Sequence, residues 1–213
     1  MTAPEDSVGT SLISQRKPWE YLGNTALCLW ALFFNYVMLV DFVTRHRTSS
    51  LLVAVFEAAV VYFSVTRPIP KDSNRSLYDW IISLAGTSLI LLMRSAPQVH
   101  DNFPLLVVQS IGIAISLAGL FNLNKSFGIV AANRGIKTGG LYGVVRHPIY
   151  AGYLLAFGSF LIQNITLANV VIYGAVVVLQ LLRMAAEERV LLQDRNYADY
   201  ARKTRWRLLP LVY

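Results

Sequence analysis

The chain is poor in charge and almost devoid of cysteine. Only 15% of its 213 residues are Asp, Glu, Lys or Arg, fewer than a soluble domain ordinarily carries. Cys28 is the single cysteine, which excludes an internal disulfide and a zinc cluster built from thiolates. His46, His100 and His147 have no metal-ligand spacing, so no metal site is expected. The sequence has no P-loop, no GxGxxG and no internal repeat. Residues 1–18 are polar and lack the apolar core of a cleavable signal peptide.

What is abundant is apolar surface. Hydrophobic residues make up 55% of the chain, its mean hydropathy is +0.48, and they fall in long runs. That pattern predicts an all-α, polytopic transmembrane bundle. Four spans are expected within residues 19–124, after a polar tail at 1–18: about Tyr21–Val43, Ser50–Thr66, Leu77–Met93 and Pro104–Leu123. Trp19, Tyr21 and the Arg16-Lys17 pair suit an interfacial anchor before the first. Arg67-Pro68-Ile69-Pro70 stops the second and turns the chain. Glu57 lies inside that second span. A carboxyl there is costly in lipid, so it is expected to face neighbouring helices, with packing favoured over a site role. Gly112, Ser116, Ala118 and Gly119 suit close helix packing in the fourth.

Residues 125–147 form a long amphipathic connection carrying Arg134, Lys137, Gly128, Gly135, Gly139 and Gly140. Two shorter apolar segments follow, about Ile149–Ile162 and Leu167–Arg183, joined by a tight turn at Gln163-Asn164-Ile165-Thr166. The second is expected to run past the membrane surface to about Gln193, ahead of a basic, aromatic tail. Six passes place both termini on one side. On that basis 16 of the 19 Lys and Arg residues share the terminal side, and only Arg45, Arg47 and Arg94 face the other. Positive residues mark the cytoplasmic face, so both termini are expected there. The net charge of +7 is accordingly read as a topology signal and not as a nucleic-acid footprint.

Two polar clusters stand out against this background. Gly139 to Tyr153, GGLYGVVRHPIYAGY, opens with a Gly-Gly loop and leads into an apolar helix. Pro148 fits the first turn, where its missing N–H costs nothing. His147 then sits at the helix mouth, ahead of N–H groups suited to an anion. Further on, Arg183 and Glu187 are four apart and share a helix face. Two readings follow. One is an exposed ion pair of little worth, about 0–1 kcal/mol. The other is a cavity closed by the His147 loop, in which Arg183 grips a carboxylate in a fork and Glu187 balances a cation.

The run Leu141-Tyr142 to Arg146-His147-Pro148-Ile149-Tyr150-Ala151-Gly152 resembles the RHPxYxG motif of the isoprenylcysteine carboxyl methyltransferases. Arg183, Glu187, Glu188 and Leu191, then Tyr197, Tyr200, Arg205 and Pro210, resemble the RxxxEExxL…Y..Y…P ending of those enzymes. The likeness covers roughly Lys125 to Pro210; the four earlier spans are read only as apolar helices.

The resemblance implies that residues 125–213 are a catalytic methyltransferase region made of cofactor loop, helical hairpin and tail. It implies S-adenosyl-L-methionine as cofactor, in a pocket at the cytosolic edge. The matching cofactor-binding positions are Arg134, Gly135, Ile136, Lys137, Tyr142, His147, Pro148, Ile149, Tyr150, Glu187 and Glu188, with packing or capping as a second role for Glu188. Arg183 matches the substrate-binding arginine, and Arg183 and Glu187 are the implied catalytic pair. The implied acceptor is lipid-like, of isoprenoid or prenyl-cysteine type, presented from the membrane lipids; no obligate protein partner is inferred. Methylation of a carboxylate needs no strong base, because the nucleophile is already ionised near neutral pH; the task is alignment and exclusion of water. Tyr142 and Tyr150 suit a sulfonium by cation–π contact. The alternatives are a phospholipid or other lipid N-methyltransferase, against which Arg183 argues; an NADPH-dependent sterol-type reductase, disfavoured by the short chain; and a non-enzymatic membrane scaffold.

Overall fold

A computed structural model describes residues 18–66, 77–96, 100–123 and 136–211. The polar tail before Pro18, the Arg67–Arg75 turn and the 125–135 part of the long connection, with Arg134 and Gly135, lie outside the described residues. Among the described residues the chain is all-helical: α1 (Pro18–Arg45), α2 (Thr48–Thr66), α3 (Leu77–Ser88) continued by a 3₁₀ segment (Leu89–Leu92), α4 (Phe103–Leu123), α5 (Pro148–Gln163), α6 (Leu167–Leu191) and α7 (Arg195–Lys203). The apolar runs therefore become helices close to the expected limits. The basic, aromatic tail, for which the sequence indicated no particular secondary structure, contains α7. Asp194 caps it by accepting from Asn196 N at 2.9 Å, and Tyr197 and Tyr200 are buried on its inner face.

Among the described residues three stretches are long and apolar enough to cross a membrane: Cys28–Arg45, Phe103–Leu123 and Leu167–Leu191. Thr48–Phe63, Ile81–Leu92 and Pro148–Gln163 are apolar but shorter. The exposed surfaces of the long helices carry Leu29, Phe33, Tyr36, Phe121, Val171 and Val178, an apolar rind suited to lipid. Inside, Ile90, Leu120 and Val176 are fully buried.

Backbone proximity between α4 and α5 sets the frame. A Cβ on Gly112 would stand 2.6 Å from the Ala156 nitrogen, and one on Gly152 would meet the Gly112 carbonyl and, at 2.5 Å, the Ser116 hydroxyl. Hydrogen alone fits at both positions. One turn further along, the Ser116 hydroxyl donates to the Ile149 carbonyl at 3.1 Å, so the start of α5 is held against α4.

At the other end of the bundle the loops are pinned by side chains. Asn169 accepts from Arg94 N at 3.1 Å and donates to the Arg94 carbonyl at 2.8 Å. Asp101 accepts from Ser49 N at 3.0 Å. Arg47 is buried and donates to Asn164 Oδ1 and to the Ala96 carbonyl. Irregular backbone is tolerated there because its polar groups are satisfied.

Gly112→Ala and Gly152→Ala are each expected to cost about 1–3 kcal/mol through overpacking. Gly174, whose added Cβ would meet nothing within 4 Å, is the control: Gly174→Ala should be neutral or stabilising. Unfolding midpoints in detergent check this, and equal midpoints for all three variants would refute the close contact.

Candidate functional site

The site is assembled where the head of α5, the end of α6 and the C-terminal segment meet. Gly140 has φ +60, a left-handed conformation that costs glycine little. A Cβ there would run into Asn122 Nδ2, which donates to the Gly139 carbonyl at 3.2 Å. The Gly-Gly loop is thereby fixed to the end of α4, and a 3₁₀ turn at Gly140–Gly143 leads to the helix mouth. His147 is the N-cap and Pro148 the first helical residue, as the sequence predicts.

A strap then crosses that mouth. Arg146 N donates to the Trp206 carbonyl and His147 N to the Arg207 carbonyl, both at 2.9 Å. The anchor of the strap is α7, whose Tyr200 hydroxyl donates to the Tyr142 carbonyl at 2.7 Å. Burial is the main cause that pushes the Tyr200 phenol up to about 12, so it remains a donor at neutral pH. Burial, with Glu187 adding to it, raises the Tyr142 phenol further still.

Glu188 ties these pieces together. It is only 4% exposed. Its Oε1 accepts from Arg146 Nη1 at 2.8 Å and from His147 Nε2 at 3.1 Å, and its Oε2 from Arg207 Nε at 2.9 Å. Both carboxylate oxygens are thus engaged by protein, and the geometry gives Glu188 the positioning of His147 and the strap. The ring of His147 lies 5.5 Å from that of Tyr150.

Tyr150 links the second pair. Its hydroxyl donates to Glu187 Oε2 at 2.8 Å, and its ring face lies 5.3 Å from the Arg183 guanidinium carbon. Arg183 is 7% exposed and donates through Nη1 to Thr87 Oγ1 on α3 at 3.2 Å. Thr87 can accept because its own proton goes to the Ser83 carbonyl at 2.9 Å. Arg183 and Glu187 form no direct ion pair, and among the described residues no carboxylate lies within 4.0 Å of Arg183. The exposed ion-pair reading is therefore overturned: the arginine is drawn inward by α3, and Tyr150 stands between the two.

Among the described residues two buried polar atoms in this region have no hydrogen-bond partner, Arg146 Nε and Tyr197 Oη. Tyr142 is buried against Tyr197 and Tyr200, with Ile136 packed on the cluster. Lys137 is exposed. Pro148 is buried, and Ile149 packs on Leu120 and Phe63. Sequence reasoning gave no role to Arg146, Arg207 or Thr87. Arg146 had a signal in its place beside His147; Thr87, in a plain apolar helix, had none.

Glu188→Ala should destabilise the protein by about 3–5 kcal/mol, because it leaves the buried Arg146 guanidinium without its counter-charge. Arg207, 38% exposed at its side chain, should cost much less on conversion to Ala, about 0–1 kcal/mol. Thermal unfolding and limited proteolysis of the C-terminal segment check the ranking; equal losses would argue against a buried hub at Glu188.

No protein-family model and no curated protein matches the chain, so the functional reading rests on the chemistry of these residues.

Proposed function

We propose that the protein is an integral membrane S-adenosyl-L-methionine-dependent methyltransferase of the isoprenylcysteine carboxyl methyltransferase type, forming a methyl ester on a lipid-like acceptor. The observation that carries this reading is Arg183. A guanidinium buried at 7% exposure, whose partners among the described residues are the neutral side chains of Thr87 and Tyr150, is costly unless an anion completes it. Its planar fork suits a carboxylate, and its place at the end of a long apolar helix suits an acceptor that arrives from lipid. A cationic amine head, as a lipid N-methyltransferase would take, is repelled at that position.

The neighbouring residues fit the cofactor. Glu187 has one hydrogen bond, from Tyr150, leaving carboxylate capacity for an ammonium or a ribose hydroxyl. Arg146 Nε and Tyr197 Oη, buried without partners, suit a carboxylate and a polar edge. The faces of Tyr142 and Tyr150 suit a cation. When bound, the cofactor supplies an electrophilic methyl group on a sulfonium. Arg183 holds and aligns the acceptor, Tyr150 keeps Arg183 and Glu187 at fixed separation, and Glu188 holds His147 in place. No residue need act as a base, because a carboxylate is already ionised near neutral pH.

Incubation of proteoliposomes with labelled cofactor and a lipid extract, followed by mild base, tests the reaction: base-labile label is expected, and base-stable or absent label would overturn it. Arg183→Ala should lower turnover by about 10²-fold with cofactor affinity nearly intact, and Arg183→Lys should recover little. Glu187→Gln should instead weaken cofactor binding by about 1–3 kcal/mol.

The same reading includes six helical passes with both termini in the cytoplasm, supported by the 16-to-3 division of Lys and Arg and by the six apolar stretches. Accessibility of single cysteines introduced after Tyr197 and beside Arg94, in a Cys28→Ser background, should place them on opposite sides; labelling from one side would exclude it.

A further inference from the structure

The bundle treats its charges differently at its two ends. At the end closed by the pinned loops, Arg45 pairs with Asp41 at 3.2 Å and Arg47 is buried on Asn164 and the Ala96 carbonyl. At the strap end Arg189, Arg195, Lys203 and Arg205 are all exposed. Among the described residues no carboxylate lies within 4.0 Å of any of these four. The acids close to them in the chain are already engaged: Asp194 caps α7, Asp199 pairs with Arg202 at 2.6 Å, and Glu188 is filled. Two leucines that follow these cations are also left open. Leu209 is 55% exposed and Leu211 83% exposed. Leu211 moreover holds φ +68, a left-handed conformation that costs a leucine stability.

Helix lengths set the depth of this surface. From the Asn164 turn, α5 rises through 16 residues, about 24 Å at the helical rise, so its mouth and the strap lie at the rim of a hydrocarbon layer of about 30 Å. Arg189 lies 22 residues past Leu167 in α6, about 33 Å on the same scale. It continues the exposed apolar stripe of Val171, Val178 and Leu182 with a charge. We propose that the strap end, from Arg189 to Leu211, is a docking surface for anionic phospholipid headgroups, with Leu209 and Leu211 entering the acyl boundary beside them. Exposed cations next to exposed leucines match a surface that is anionic outside and apolar beneath. A nucleic acid would match the cations and leave the leucines in water. The surface requires only that the bundle lie in a membrane, as its apolar helices allow. One consequence rests on the reading given under Proposed function: headgroups that hold the strap also hold His147, so methyl transfer should depend on anionic lipid.

The test reads lipid binding and not turnover. The full chain in neutral detergent is titrated with dioleoylphosphatidylglycerol or dioleoylphosphatidylcholine, and retained lipid is counted by native mass spectrometry. Phosphatidylglycerol should bind about tenfold more tightly, and its advantage should shrink as salt is raised. Inorganic phosphate and poly-L-glutamate should not displace it. Converting Arg189, Arg195, Lys203 and Arg205 together to Gln should remove the preference. A second measurement uses the wild type in nanodiscs. Amides of residues 203–211 should exchange hydrogen about tenfold more slowly when phosphatidylglycerol is included, while those of residues 167–180 should not change. No preference for phosphatidylglycerol, a preference that survives the fourfold variant, or unchanged exchange at 203–211 would overturn the proposal. Displacement by poly-L-glutamate would overturn it too, and would mark an acidic protein as the partner. Preference for phosphatidylglycerol alongside an absence of methyl transfer would leave the docking surface standing and remove the enzymatic reading.

Discussion

The Glu188 carboxylate is the point on which the head of the bundle depends. Three donors from two distant stretches, Arg146 and His147 before α5 and Arg207 in the strap, converge on its two oxygens. A carboxylate this buried is tolerated only because its hydrogen-bonding capacity is filled. The consequence is geometric. The mouth of α5, the last turns of α6 and the segment after α7 are held as one unit, and His147 and Tyr150 inherit fixed positions from it.

That unit can be tight only because α4 and α5 touch backbone to backbone. Gly112 and Gly152 remove the side chains that would otherwise separate the helices, and Ser116 anchors the first turn of α5 from α4. The pinned loops around Asn169 and Asp101 close the opposite end. Small residues along the interface and satisfied polar groups at the ends are the means by which an apolar bundle acquires one arrangement, since lipid offers no hydrophobic drive between helices.

Between these ends the interior is polar in an ordered way. Arg183 leans on Tyr150 and Thr87, Tyr150 reaches Glu187, and Thr87 borders the cavity that holds Glu57. Arg183 and Glu187 each keep hydrogen-bonding capacity that the described residues do not fill, in contrast to Glu188. The difference separates residues that hold the structure from residues left open to something else. A filled hydrogen-bonding shell marks the first kind, and a buried donor or acceptor without a partner marks the second.

Much of the fold could be read from the sequence. Apolar run length decides where helices lie, because backbone groups in lipid must be satisfied within the segment. Pro148 and His147 mark the start of α5 through rules that act over a single turn. The tail after Asp194 escaped that reading, since α7 is short and is stabilised by Tyr197 and Tyr200 packing on Tyr142, a contact distant in the chain. The same divide runs through the site. The spacing of Arg183 and Glu187 shows that they share a face, yet it cannot show that Thr87 draws the arginine inward and that Tyr150 intervenes. Glu57 was legible as a buried carboxyl, but its cavity exists only where α1, α2 and α3 meet. Local propensity and periodicity act between residues a turn apart; partners brought together across the bundle are set by packing, and packing is decided in three dimensions.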